Sequence, residues 1–294
     1  MKIATHVLAY NVNRFLKEVL ENMEPHVDKI YIAYSEKPWG YVNTSRNNST
    51  NPTKLSDVIL ASASKKIELV QGDWLTEEEM RNECLNRARV EGFDWFLVQD
   101  ADEFYTEESW DQIKRTLLRN KSDDHFKTTW YNFWKSSQYV LVYPNGSIKH
   151  TNASFAFRCK SNINFVRKRW HMDNSTVLDY PCYHYGYVMS DIEMEEKIST
   201  WGHANELFAK SWYKYKWKNW NESTIYLHPT NPFSWSKAIR FPLQQPPFAE
   251  HFFLPTLLKQ NDYLDIAGDN IYNTNVILFE SKKKVKRLIK GLIS

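Results

Sequence analysis

Cysteine is scarce, and the three present, Cys84, Cys159 and Cys182, are odd in number and lack paired metal-type spacing. That count excludes a disulfide framework and a structural zinc site and predicts a reducing compartment. No apolar run is long enough to span a bilayer. The opening "MKIATHVLAY" reads as a strand rather than a charged segment followed by an apolar signal core, so a non-secreted, cytoplasmic protein is expected. No internal repeat is visible. A formal net charge of only +3, with the basic residues concentrated at the tail, argues against nucleic-acid binding.

What the chain has is size, hydrophobicity and aromatic rings. Its 294 residues, 42% hydrophobic and 25% charged, can bury a sizeable core as one large or two small domains. Aromatic residues make up 15%, including 12 Trp and 17 Tyr, and serve either as packing or as platforms for sugars and bases.

Strand and helix patterns alternate over the first hundred residues. Ile3 to Tyr10 reads as a buried strand; Phe15, Leu16, Val19, Leu20 and Met23 form a helical stripe; "DKIYIAY" gives a second strand and "KKIELVQGD" a third. Between them, Asn43 to Thr53 is polar and turn-rich, and a mobile surface loop is expected there. Thr76 with Glu79 makes a capping-box pattern ahead of Met80, Cys84, Leu85 and Ala88. Trp95 to Gln99 is the fourth strand. This order predicts an α/β sheet with parallel strands, whose ligands bind beyond the strands' carboxyl ends. Past Lys127 the texture becomes α+β, with strand-like "FKTTWYNFW" and "QYVLVYPNGSIKH" and a hairpin turn at Pro144-Asn145-Gly146.

"FDWFLVQDADEFYTEES" places Asp100 and Asp102 where the fourth apolar stretch ends. Residues two apart on an extended segment point to one side, so the two carboxylates are expected to face one ligand. Like charges that close call for a cation between them, and oxygen ligands favour Mg²⁺ or Mn²⁺. The alternative is a solvated surface pair. An EF-hand loop starting at Asp100 fails because Tyr105 stands where glycine is needed. A haloacid-dehalogenase-type phosphohydrolase, with Asp100 as nucleophile, stays open, although Phe104 stands where that family prefers Thr or Val.

"AYNVNRFLKEVLENM", from Ala9 to Met23, resembles the opening of family 2 type glycosyltransferases of the GT-A fold, where a Tyr-Asn pair ends the first strand beside the nucleotide. The resemblance continues through "MRNECLNRA", "QDADEF" and "YHYGYVMSDIEMEEKI", in order, over about the first two thirds of the chain. It implies a GT-A domain: a Rossmann-like, mainly parallel mixed sheet flanked by helices over residues 1–200, with an α+β acceptor-side half. An aromatic-rich C-terminal helical extension follows over 201–294. The implied activity is metal-dependent transfer of a sugar from a nucleotide-sugar donor, a UDP-sugar, to a glycan or other hydroxyl acceptor with inversion. Tyr10, Asn11, Asp73, Arg81 and Lys197 would hold the donor, with Asp73 reading uracil and Arg81 and Lys197 near the diphosphate. Asp100, Asp102 and His184 would hold Mn²⁺ or Mg²⁺.

Each of these residues also has an ordinary reading. Asp73 caps a turn, Arg81 is an exposed helix residue, or His184 is a core histidine between Tyr183 and Tyr185. The chain departs from the family in lacking a clear Glu-Asp pair for the base, and in lacking the Gln-x-x-Arg-Trp motif of processive synthases. For the base, Asp173 ranks ahead of Asp179 and Glu103. A non-enzymatic carbohydrate-binding protein is the remaining alternative. The terminal "SKKKVKRLIKGLIS" carries six basic residues and no acids, with Val285, Leu288, Ile289, Leu292 and Ile293 at helical spacing. It is a candidate peripheral membrane contact, a docked helix or a solvated tail.

Overall fold

A computed structural model describes residues 1–41, 43–166, 175–200, 209–252, 268–278 and 281. β1 (Ile3–Leu8), β2 (Lys29–Tyr34), β3 (Ile67–Gln71) and β4 (Trp95–Val98) are parallel and lie in the order β3-β2-β1-β4. Helices fill the crossovers: α1 (Leu16–Met23), then the short α2 (Asn43–Asn48) and α3 (Leu55–Ala61), then α4 (Glu77–Val90). α4 starts as its sequence predicts, with Thr76 and Glu79 closing a reciprocal capping box.

These strands are apolar on both faces because both faces are covered. Side chains alternate across the sheet, so Ile3, Val7, Ile30, Ile32, Trp95 and Leu97 enter one core with α1, while Ala4, Leu8, Tyr31, Ala33, Phe96 and Val98 meet Met80, Cys84, Leu85 and Ala88 of α4 in a second. Cys84, Cys159 and Cys182 are buried, and none is in a disulfide.

Beyond β4 come the short β5 (Glu103–Phe104) and α5 (Glu107–Arg119), then β6 (His125–Trp134), β7 (Ser136–Val142), β8 (Lys149–Arg158) and β9 (Thr176–Tyr187). β8 is antiparallel to β4 and carries the sheet onward through β6 and β7, so the expected mixed α/β sheet is present. β9 runs parallel to β6 and antiparallel to β5. α6 (Asp191–Thr200) follows, and β10 (Lys237–Arg240) completes the edge beside β7. Trp134, Tyr187, Trp212, Trp217 and Trp235 pack ring against ring beneath that edge, which accounts for much of the aromatic richness as core. Among the described residues no helix is long and apolar enough to cross a membrane. The basic tail from 282 onward lies outside them.

Residues 43–53 differ from expectation. They are not a loose loop: 43–48 form α2, and Asn51 and Thr53 are buried. Buried polar side chains here satisfy backbone groups that the ends of β1 and β2 leave without ladder partners. The Asn51 amide donates to Ala9 O at 2.7 Å and Ser35 O at 2.8 Å, and its Oδ1 accepts from the N–H of Asn11 and Thr53. Thr53 Oγ1 accepts from Val12 N–H at 2.8 Å.

Candidate active site

β1 and β4 end side by side, and the chain leaving each lines one cavity of roughly 360 Å³. After β1 come Tyr10 and Asn11, the latter at φ +54°, a left-handed conformation that Asn tolerates better than most residues. After β4 the chain does not stay extended. It turns, with Glu103 N–H donating to Asp100 O at 3.1 Å, so Asp100 and Asp102 line the same cavity but reach different partners. The segment is a turn rather than the expected extended chain, and both carboxylates nevertheless border one cavity.

Asp100 belongs to Arg81. The guanidinium, 1% exposed, donates to both Asp100 oxygens at 2.8 and 3.1 Å and to Glu77 Oε1 at 2.6 and 3.0 Å. Its Nη1 also donates to His6 Nε2 at 2.7 Å. His6 is buried in β1, so its Nδ1–H is left to donate to Leu97 O at 3.3 Å. Two acids and an imidazole therefore compensate one buried cation, as burial of an ion requires. Arg81 is thus not the exposed helix residue of its ordinary reading.

Asp102 faces His184 and Lys197. His184 Nε2 is 3.5 Å from Asp102 Oδ1, and Lys197 Nζ is 3.6 Å from Oδ2 while donating to Gly186 O at 2.7 Å. Burial pushes the Asp102 acid upward, yet His184, by charge and hydrogen bond, and then Lys197 outweigh it and hold the group at about 2. β9 brings His184 here through its antiparallel pairing with β5, where His184 stands opposite Glu103. The ring of Trp130 lies 4.4 Å from the imidazole. Tyr10 OH donates to Glu196 of α6 at 3.4 Å, and burial, with Glu196 beside it, raises that phenol. Arg14, from the turn before α1, grips Glu193 of the same helix through two bonds at 2.5 and 3.1 Å.

Ligand atoms of Asp102, Glu103 and His184 lie within 4.8 Å of one another. Two carboxylates and one imidazole suit Mn²⁺ or Mg²⁺. The surroundings fit such an ion as well: a Cβ on Gly186 would come within 2.6 Å of His184 Nε2 and 2.9 Å of Asp102 Oδ2. Glycine is what leaves these two groups room to converge.

The cavity therefore gathers Tyr10, Asn11, Arg81, Asp100, Asp102, His184 and Lys197. Asp73 is not among its lining residues. It is 59% exposed and ion-paired with Arg46 of α2, and the helix cap is Thr76. Asp173 lies outside the described residues. Asp179 is 73% exposed and paired with Lys149 at 2.8 Å, and Glu103 is fully buried. Sequence reasoning missed Pro38 and Trp39, which supply an apolar wall, and missed Asn51, Trp130 and Asn132 around the site. Only the polar run 43–53 carried a signal for any of them, and polarity there pointed to solvent.

No family model matches the chain, and no curated protein matches it. Similar solved structures include a 4-diphosphocytidyl-2C-methyl-D-erythritol synthase from Anaerococcus prevotii, at 14% identity and a TM-score of 0.38, covering 66% of this chain and 94% of that one. TarS from S. aureus is similar at 13% identity and a TM-score of 0.41, covering 74% of this chain and 43% of that one. Its 1–349 portion in complex with UDP gives 14% identity, a TM-score of 0.37 and coverages of 74% and 71%.

Proposed function

We propose that this chain is a divalent-cation-dependent transferase moving a sugar from a nucleotide-sugar donor, a UDP-sugar, to a hydroxyl of a glycan acceptor. One observation carries the reading: a single cavity at the carboxyl ends of parallel β1 and β4 collects Asp102, His184 and Lys197 beside Tyr10 and Asn11. That is where an open α/β sheet takes its ligand. Asp102, Glu103 and His184 would hold the cation, whose chemistry here is to neutralise the negative charge that grows on a departing diphosphate.

The chain's own groups do the rest. Lys197, fixed by Gly186 O, directs an ammonium into the cavity toward diphosphate oxygens, and Tyr10 and Asn11 border the nucleoside. Pro38 and Trp39 offer the apolar wall on which a base can lie. Arg81 holds Asp100 in place. With both oxygens of Asp100 accepting from that guanidinium, the carboxylate is blunted as a phosphohydrolase nucleophile, which favours transfer over that alternative. The burial of Asp102 likewise disfavours a pair of merely solvated acids. Inversion is part of the proposal, with Asp173 as base.

A thermal-shift panel of UDP-, GDP- and CMP-sugars with and without Mn²⁺ tests the reading, because a ligand that binds only the folded state raises its melting temperature. UDP-sugars are expected to raise it in the presence of Mn²⁺, and Asp102→Asn to lose that response. If no nucleotide sugar shifts melting with metal present, the reading is wrong.

A further inference from the structure

His184 and Asn132 are neighbours across the parallel β6–β9 pair. Asn132 is 4% exposed, and its Oδ1 meets His184 Nδ1 in a short hydrogen bond. A carboxamide has an accepting end and a donating end, so which end faces the histidine decides which ring nitrogen carries the proton. The far end of Asn132 meets Tyr143. Asn132 Nδ2 donates to Tyr143 OH at 2.5 Å. The amino end of the carboxamide thus faces the phenol, whose oxygen accepts from it. The Asn132 oxygen is then left for His184. Nδ1 carries a proton, and Nε2 is the ring nitrogen that faces Asp102.

We propose that Asn132, oriented by Tyr143, is the positioning residue that presents His184 Nε2 to a divalent cation shared with Asp102. The inference rests on the metal reading above and adds a residue from a strand 52 positions away in sequence. Nε2 and the carboxylate stand 3.5 Å apart, a gap bridged by a proton when no metal is bound and open to a cation that replaces it, and an acceptor on Nδ1 is the usual device for keeping Nε2 available to a metal. Trp130, against the ring, limits its rotation. Tyr143, 7% exposed, is buried with Asn132.

Mn²⁺ titration of the full chain, followed by electron paramagnetic resonance of the unbound ion, tests this without reference to turnover. Asn132→Leu should weaken Mn²⁺ binding about 10- to 100-fold, the usual effect of removing an outer partner of a metal-bound histidine. Asn132→Asp, which restores an oxygen to Nδ1, should bring the affinity back close to wild type; a purely packing role would not predict that recovery. Tyr143→Phe keeps the ring and lets the amide turn over, so it should weaken binding several-fold even if the leucine variant does not fold. Wild-type affinity in Asn132→Leu, no recovery in Asn132→Asp, or no change in Tyr143→Phe overturns the assignment. Asp102→Asn is measured alongside. If it too binds Mn²⁺ as wild type does, the metal site itself is wrong, whereas loss there with none in the Asn132 variants overturns the positioning role alone.

Discussion

The Asn51 carboxamide accepts the backbone N–H of Asn11 at 3.1 Å and holds that residue in its left-handed conformation at the cavity wall. The same side chain ties the ends of β1 and β2 together through Ala9 O and Ser35 O. Asn51→Leu strands several buried backbone groups at once, so a loss on the order of 3 kcal/mol is expected, the scale of one or two unsatisfied buried polar groups. Urea denaturation measures it. A loss below about 0.5 kcal/mol, the range of an ordinary surface substitution, would show that the segment is dispensable.

Gly186→Ala tests the convergence of His184 and Asp102. The added methyl collides with the reactive edges of both, not with a flexible tip, so they must separate. Overpacking of this kind costs about 1 to 3 kcal/mol and leaves the fold standing. Mn²⁺ affinity should fall at least 10-fold, judged by the outer-partner losses typical of metal sites. Calorimetry showing unchanged metal binding would remove glycine's part in the site.

Acid titration should expose Asp102. Its folded-state value, about 2, lies below the ordinary carboxylate value of 3.8, so the ionised group stabilises the fold by about 2 kcal/mol. That contribution is complete above pH 4 or so and is lost as pH falls toward 2. The stability gap between wild type and Asp102→Asn should therefore close over that window, measured as urea midpoints at stepped pH. A gap that stays constant down to pH 2 contradicts the assignment.

At Lys135 the buried charge works against the fold. It is buried with φ +63°, 3.6 Å from Asp191 and 4.1 Å from the ring centre of Trp217, and burial brings its ammonium down to about 8. Between pH 8 and 10.5 the unfolded chain keeps a proton that the fold gives up, so stability rises with pH there by about 3 kcal/mol. Lys135→Met should abolish that rise and be no less stable than wild type at pH 7, since a buried charge costs more than its pairing returns. Thermal melts across this range decide, and a marked loss at pH 7 would mean that the ion pair and ring contact outweigh burial.

The parallel half of the sheet was legible because each of its strands is apolar on both faces and α4 announces its start at Thr76 and Glu79. The cavity was legible in outline for a related reason: Tyr10, Asn11, Asp100 and Asp102 follow directly on strand ends, where local pattern and position coincide. What escaped depends on pairing between distant segments. Asp100 is gripped by Arg81 while Asp102 meets His184 and Lys197, Asn132 meets His184 only through the β6–β9 register, and Asn51 is polar yet buried because the backbone around it needs partners. Composition cannot distinguish a side chain wet by solvent from one satisfied by main chain.

The three cysteines have a practical consequence. Cys84 and Cys182 are 0% exposed and Cys159 4%, and burial pushes the Cys84 and Cys159 thiols up to about 12. Maleimide chemistry acts on exposed thiolate, of which the folded chain presents almost none. A single cysteine placed at Leu60, which is 81% exposed, would accept a fluorophore while the native three stay silent. Delayed labelling of those three would then time the opening of the whole core, without a cysteine-free background having to be built first.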